Sequence, residues 1–145
     1  MTTSNKPSNP KDAMGIGKGP MSTVSAPVLA ELGLAMMEGA RKYGRHNYRC
    51  VGVRASVYYD AALRHLTRWY EGEDIDPDSG LSHVIKAMAC MAVVRDSMIV
   101  GNWVDDRPPV AVDNSFWQGV DNHAKEMIQR YPEQAHTYTQ QENPL

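Results

Sequence analysis

The sequence has little of several things that restrict a fold or a function. Two cysteines, Cys50 and Cys90, are too few for a disulfide framework, and neither belongs to a CxxC pair. No apolar run reaches transmembrane length, and the start Met1-Thr-Thr-Ser-Asn-Lys6 lacks the apolar centre of a signal peptide. The expectation is a soluble, cytoplasmic chain with no membrane partner. Neither sign of charge dominates: the formal net charge is -2 and the pI near 6.2, so there is no field to hold a polyanion. A stable nucleic-acid partner is therefore not expected, while a local basic site for phosphates is compatible with the composition. No His-Asp dipeptide occurs, which argues against an HD-type phosphohydrolase. The stretch Gly15-Ile-Gly-Lys-Gly-Pro20 lacks the spacing and the Lys-Ser/Thr ending of a P-loop, and no strand precedes it. It reads as part of a flexible arm whose Lys11 or Lys18 could close over a ligand.

What is present is helical periodicity. A chain of 145 residues suits one domain and can bury about two-thirds of its unfolded surface. Residues 1–26, rich in Ser, Gly, Pro and Lys, read as an extended arm, residues 27–131 as an α-helical domain, and residues 132–145 as a flexible tail. Within the domain, Pro27 sits at the start of a first helix that Gly44 stops. A loop over 45–54 leads to a second helix over 55–71, with Val57, Ala61, Leu66 and Trp69 available for a core. After the acidic turn Gly72-Glu-Asp-Ile-Asp-Pro-Asp-Ser-Gly80, a third helix over 81–100 places Val84, Ile85, Met88, Met91, Ala92, Arg95 and Ile99 at helical spacing. A last helix over 114–131 is stopped by Pro132. There is no internal repeat and no convincing pair of strands, so the class is all-α, an antiparallel helical bundle. Met36, Met37, Met88 and Met91 read as core or subunit-interface packing, and Trp69 and Tyr70 as packing residues.

The acids are the informative residues. Glu31 and Glu38, seven apart on the first helix, project from nearly the same face among apolar neighbours. Asp60 and Arg64, four apart, share a face of the second. If the first two helices pair antiparallel through the 45–54 loop, position 38 lies opposite about position 60, and Glu31 opposite His65 and Arg68. Carboxylates gathered in a helix interface are costly unless compensated, and a divalent cation with a polyphosphate does that. Glu38 and Asp60 are accordingly the candidate catalytic residues, with Glu31, Glu38 and Asp60 as metal ligands for Mg2+ or Mn2+. Asp76 before Pro77 reads either as the cap of the third helix or, with Glu73, as a further metal-binding pair.

Three linked blocks carry a resemblance. They are Glu38-Gly-Ala-Arg-Lys-Tyr-Gly-Arg-His-Asn-Tyr48, Asp60-Ala-Ala-Leu-Arg-His65, and Gly72-Glu-Asp-Ile-Asp-Pro-Asp-Ser-Gly-Leu-Ser-His83. Together with Asn9-Pro-Lys-Asp12 they resemble the phage dATP/dGTP diphosphohydrolase domain family, a branch of the MazG-like all-α nucleotide pyrophosphohydrolases. The resemblance spans roughly residues 9–100. It implies metal-dependent cleavage of a purine (deoxy)nucleoside triphosphate, dGTP or GTP foremost, to the monophosphate and pyrophosphate. In a phage-encoded chain the dGMP would serve synthesis of 2-aminoadenine in the host cytoplasm. It also implies a homodimer or homotetramer, because MazG-like sites are completed by helix pairs from two subunits. Within the blocks, Lys42, Arg45 and Arg64 are candidate phosphate contacts. Asn47 is a candidate for a purine edge or for capping the loop, and His65 and His83 are candidate base or ribose contacts or structural groups. One departure stands out: the MazG pattern has ExxE on one helix and ExxD on the next. Here Leu34 and Ala35 leave no ExxE, and the Glu73–Asp76 spacing falls in a turn. That departure favours an alternative, a catalytically inactive nucleotide-binding or assembly module.

Overall fold

The computed structural model describes residues 9–144, and its architecture is all-α. The described residues form α1 (Pro10–Gly15), α2 (Ala26–Tyr43), α3 (Asn47–Val51), α4 (Ala55–Tyr70), α5 (His83–Val100) and α6 (Asn114–Arg130), with a single 3₁₀ turn at Met21–Thr23. Two isolated backbone bridges, Arg54 with Val104 and Ile75 with Ser82, are the only β-type pairing among them.

The arm is not simply extended. Asn9 accepts from the backbone N–H of Lys11 while Asp12 reaches back to the N–H of Asn9, a reciprocal capping box that starts α1 with Pro10 at its first position. That signal, Asn-Pro-Lys-Asp, was legible in the sequence. Residues 1–8 of the expected arm lie outside the described residues.

The larger correction concerns which helices touch. α5 is the hub: it packs against α4 along most of its length and also against α2 and α3. α2 and α4 scarcely meet, so the expected pairing of position 38 with position 60 does not occur within the chain. The connection between them is the cause. It folds into α3 instead of turning back tightly, and Arg49 of α3 forms a bidentate pair with Asp96 of α5 at 2.9 and 2.8 Å. Asn102, just beyond α5, donates to the carbonyls of Tyr48 and Arg49. These bonds carry the chain over the C-terminal end of α5, and α5 then occupies the space between α2 and α4.

Gly52 makes that crossing possible. Its φ is +71°, and a Cβ there would lie 1.9 Å from the carbonyl oxygen of Asn102. The close approach lets Val53 and Ala55 bond Val104 on both sides, at 2.7 and 3.0 Å. The following loop then caps α4, because the Asp106 carboxylate accepts from the backbone N–H of Ser56 at 2.8 Å and from its hydroxyl.

The buried apolar residues are few and small: Ala35, Val53, Ala55, Ala62, Ile85, Ala87 and Val93. On α4 the inward positions are Ala55 and Ala62, while Val57, Leu66 and Trp69, expected in the core, are exposed. On α5 the buried face is His83, Ile85, Ala87, Val93 and Ser97, displaced from the expected stripe, and Met88, Met91 and Ile99 are exposed. The chain presents 12516 Å² of surface, against roughly 7400 Å² for a compact monomer of its mass. α6 has one apolar side, with Phe116, Trp117, Val120, Met127 and Ile128, and buries none of it. No helix among the described residues is long and apolar enough to cross a membrane.

Gly52→Ala should destabilise the protein by about 2–3 kcal/mol, a fall in Tm of roughly 5–15 °C, because it adds a left-handed strain to a backbone clash. Thermal melts of the two proteins check this.

Candidate active site

Between α2, α3, α4 and α5 lies a cavity of about 830 Å³. Its walls follow from local sequence. Gly33, Gly39 and Ala40 keep the inner side of α2 low, Gly44 ends that helix, and His46, at φ 64°, turns the chain into α3. Three phenol rings, Tyr43, Tyr48 and Tyr58, stand around it with Asn47 at its rim. Burial pushes the Tyr58 hydroxyl and the Cys90 thiol above their ordinary values, so both face the cavity uncharged.

The ion-paired charge of the cavity gathers around Glu38. Glu38 accepts from Lys42, one helical turn on, at 2.6 Å, and from Lys86 of α5. The two ammonium groups hold its carboxyl below the ordinary 4.5 by hydrogen bonding first, against a smaller opposing effect of burial. The acidic turn reaches the same spot, with an Asp78 carboxylate oxygen 3.7 Å from Lys42. Lys86 was not singled out from the sequence. Its signal was the spacing from His83, three residues apart and therefore neighbouring positions on one helix surface.

A second group of residues is linked to this one. His83 has no exposed surface. Its Nε2 is 2.7 Å from Glu73 and its Nδ1 is 2.8 Å from Nδ1 of His65 on α4. Glu73 also pairs with Arg68 at 3.1 Å. The hydrogen bond from His83 is the main reason the Glu73 carboxyl lies below its ordinary value. His65 is only partly buried, and its neighbours in charge are Asp76, His83, Lys86 and Arg64.

The structure thus separates the residues that the sequence grouped. Glu38, Lys42, Arg45 and Asn47 line the large cavity. Asp60, Arg64 and His65 line a shallower one of about 450 Å³ on α4, with Arg68. Glu31 is exposed on the outer part of α2. His83 can reach a ligand only through His65, since both its nitrogens are taken. Glu73 spends its carboxylate on His83 and Arg68. Asp76 is buried and builds the turn, accepting from the hydroxyl of Ser79 at 2.7 Å and from the N–H of Asp78 at 3.3 Å. Burial alone would raise its pKa, but those bonds outweigh it and the carboxyl stays below its ordinary value. It does not cap α5; Ser82 does, accepting from Val84. Among the described residues no three His, Cys, Asp or Glu side chains converge to hold a metal ion. Glu38 is the carboxylate of the large cavity, and one or two carboxylates with substrate phosphates are enough for Mg2+.

Residues 8–107 match the family model of the dATP/dGTP diphosphohydrolases, N-terminal region, which is more than half of the chain. The chain belongs to that family. The match covers α2 to α5 and both cavities, and stops short of α6. Among curated relatives of this family member is a dATP/dGTP diphosphohydrolase of Salmonella phage PMBT28, 31% identical over 71 residues. That alignment takes in 49% of this chain and 24% of the relative, so the matched half of the chain spans about a quarter of the phage protein's length. No solved structure matches.

Because the Glu38 carboxyl is depressed in the fold, its stabilising effect is complete above pH 4.5 and is lost as the pH falls through the lower folded value. Glu38→Gln should therefore melt below the wild type at pH 7, and the gap should close on acidification below pH 4.5. Melting curves from pH 7 to 3 read this directly.

Proposed function

We propose that the chain is a metal-dependent nucleotide pyrophosphohydrolase acting on a purine (deoxy)nucleoside triphosphate, with dGTP or GTP as the preferred substrate. The observation that supports it is Glu38 between Lys42 and Lys86 in a cavity walled by three tyrosines. The cavity volume suits a nucleotide, since small-ligand sites run from about 300 to 1,000 Å³. Lys42, Lys86 and Arg45 supply the cations that a triphosphate requires. The tyrosines offer flat apolar faces for the base, and Asn47 can pair with a purine edge. Glu38 is the residue to hold Mg2+ or Mn2+, with Asp60 and Glu31 as further oxygen donors from neighbouring helices or a second copy. A divalent cation bound there supplies charge neutralisation and a more acidic water. Water adds to the α phosphorus in line, the bond to the bridging oxygen breaks, and pyrophosphate leaves, its charge met by the lysines. Arg64, which lines the shallower cavity with His65, is a further phosphate contact. In a phage the product dGMP would feed synthesis of 2-aminoadenine.

The surface left open, above all on α6, supports completion of the fold by further copies in a homodimer or homotetramer. A second reading, a nucleotide-binding module without catalysis, is favoured by the ExxE spacing that Leu34 and Ala35 do not provide.

Purified protein with Mn2+ should convert dGTP to dGMP and pyrophosphate, separable by ion-exchange chromatography, and excess EDTA should abolish turnover. Tripolyphosphate with free deoxyguanosine would overturn the bond assignment, and dGTP binding without any product would favour the second reading. Glu38→Gln and Asp60→Asn should each lose most activity while remaining folded, by rates and circular dichroism.

A further inference from the structure

The chain on either side of α6 is tied to α4, yet α6 itself packs along no other helix among the described residues. Before it, the Asp106 carboxylate holds Ser56 in the first turn of α4. After it, the side-chain amide of Gln140 donates to the carbonyl of Tyr70, the last residue of α4, at 3.4 Å and lies against Gly72. The chain thus leaves one end of α4, passes through α6, and returns to the other end. The two helices match in size, at 16 and 17 residues, or about 25 Å each. Both also carry unpartnered apolar seams. On α4, Tyr59, Leu63, Leu66 and Tyr70 follow at steps of four, three and four and are exposed. On α6, Trp117, Val120, Ala124, Met127 and the capping Tyr131 follow at steps of three, four, three and four and are exposed. That 3.5-residue repeat is the seam of a helical bundle. Phe116 and Ile128 widen the seam of α6 on its two sides, giving a face broad enough for two neighbouring helices. A single helix of this length, with Gly119 in its interior, is marginal in water and draws its stability from packing.

We propose that two copies of the chain join through a four-helix bundle made of α4 and α6 from each, related by a two-fold axis across the bundle. In it α4 and α6 of one copy stand at diagonal corners, and each packs against α4 and α6 of the second copy. Neighbouring helices in a bundle lie 8–10 Å apart and diagonal ones about 12–14 Å. The diagonal position therefore accounts for ties at both ends with no packing between them. α4 and α6 of one copy run the same way, so the two-fold axis makes every neighbouring pair antiparallel, as in an up-down bundle. The area available is ample. The exposed surface exceeds that of a compact monomer by well over the roughly 1,600 Å² that a standard interface buries. Leu63 belongs both to the α4 seam and to the lining of the shallow cavity with Asp60 and Arg64, so the second copy closes that cavity on its open side. This names the interface of the oligomer proposed above and rests on that part of the reading; it does not depend on the catalytic assignment.

Sedimentation of the full chain and of two charged variants tests it. The wild type should sediment as a dimer of the 16.1 kDa chain, or as a tetramer if two dimers join. Val120→Asp with Met127→Asp places like charges on both copies of α6, and Leu66→Lys with Tyr70→Lys does the same on α4. Each double variant alone should halve the wild-type mass. Mixed in equal amounts they should recover it, because the acids of one α6 then face the lysines of the other copy's α4. Recovery on mixing also shows that both variants are folded. The milder Val120→Ala with Met127→Ala should raise the dimer Kd by about tenfold or more, so the outcome does not rest on charged residues alone. If the α4 variant keeps the wild-type mass while the α6 variant loses it, α6 pairs elsewhere and the bundle is overturned. Wild-type mass in both variants, or a mixture that stays at the halved mass, overturns it as well and leaves the oligomer standing. A monomeric wild type overturns both the bundle and the oligomer, while release of pyrophosphate from dGTP is scored separately and decides the catalytic reading.

Discussion

A histidine with no exposed surface must find partners for both ring nitrogens, and His83 organises the structure around that requirement. It sits at the first position of α5, the helix on which α2, α3 and α4 all pack. Glu73 comes to it from the acidic turn and His65 from the middle of α4. The turn is shaped to make this possible. The N–H of His83 bonds the carbonyl of Asp74, Asp76 and Leu81 are joined at 2.8 Å, and Asp76 ties Ser79 and Asp78 into the same loop. One unexposed imidazole thus fixes the start of α5, the path of the 72–82 segment and the rotation of α4.

Once that corner is set, the other charges follow. Lys86, one turn along from His83, reaches Glu38 on α2, and Lys42 reaches both Glu38 and the turn through Asp78. A carboxylate between two ammonium groups is an arrangement with one positive charge in excess. It is also one that a polyanion can rearrange, because its phosphates compete with Glu38 for the same lysines. The cavity floor can be open because the residues lining it on α2 and α5 are small, with Gly33, Gly39, Ala40 and Ala89 where larger side chains would fill the space.

The small core has a corresponding consequence at the surface. Alanine at the inward positions 35, 55, 62 and 87 brings helices close but removes little apolar area from water. The larger apolar side chains, Leu29, Leu34, Met37, Leu63, Trp69 and those of α6, lie outside. A fold that keeps its bulk apolar residues on the surface has its remaining hydrophobic stabilisation still to gain from contact with another surface.

The sequence by itself determined the helical class, the existence and near-limits of α2, α4, α5 and α6, and the blocks around Glu38, Asp60 and Gly72 that mark the family. Those are local properties: capping residues, glycine stops and periodicity act within a few residues of chain. It also held a signal for α1 in Asn9 and Asp12. The structure alone decided the neighbours. A 3.6-residue period says that a helix has an apolar face but not what that face meets, and of the stripe expected on α5, a helix apolar nearly all round, only Ile85 is buried. The expected meeting of Glu38 and Asp60 required α2 and α4 to pair directly; Arg49 with Asp96 and the close passage of Gly52 by Asn102 sent α5 between them instead. Glu73, His65 and His83, distant in sequence, become one hydrogen-bonded chain for the same reason: their distances depend on how helices cross, and crossing is settled by contacts between residues that the chain order keeps apart.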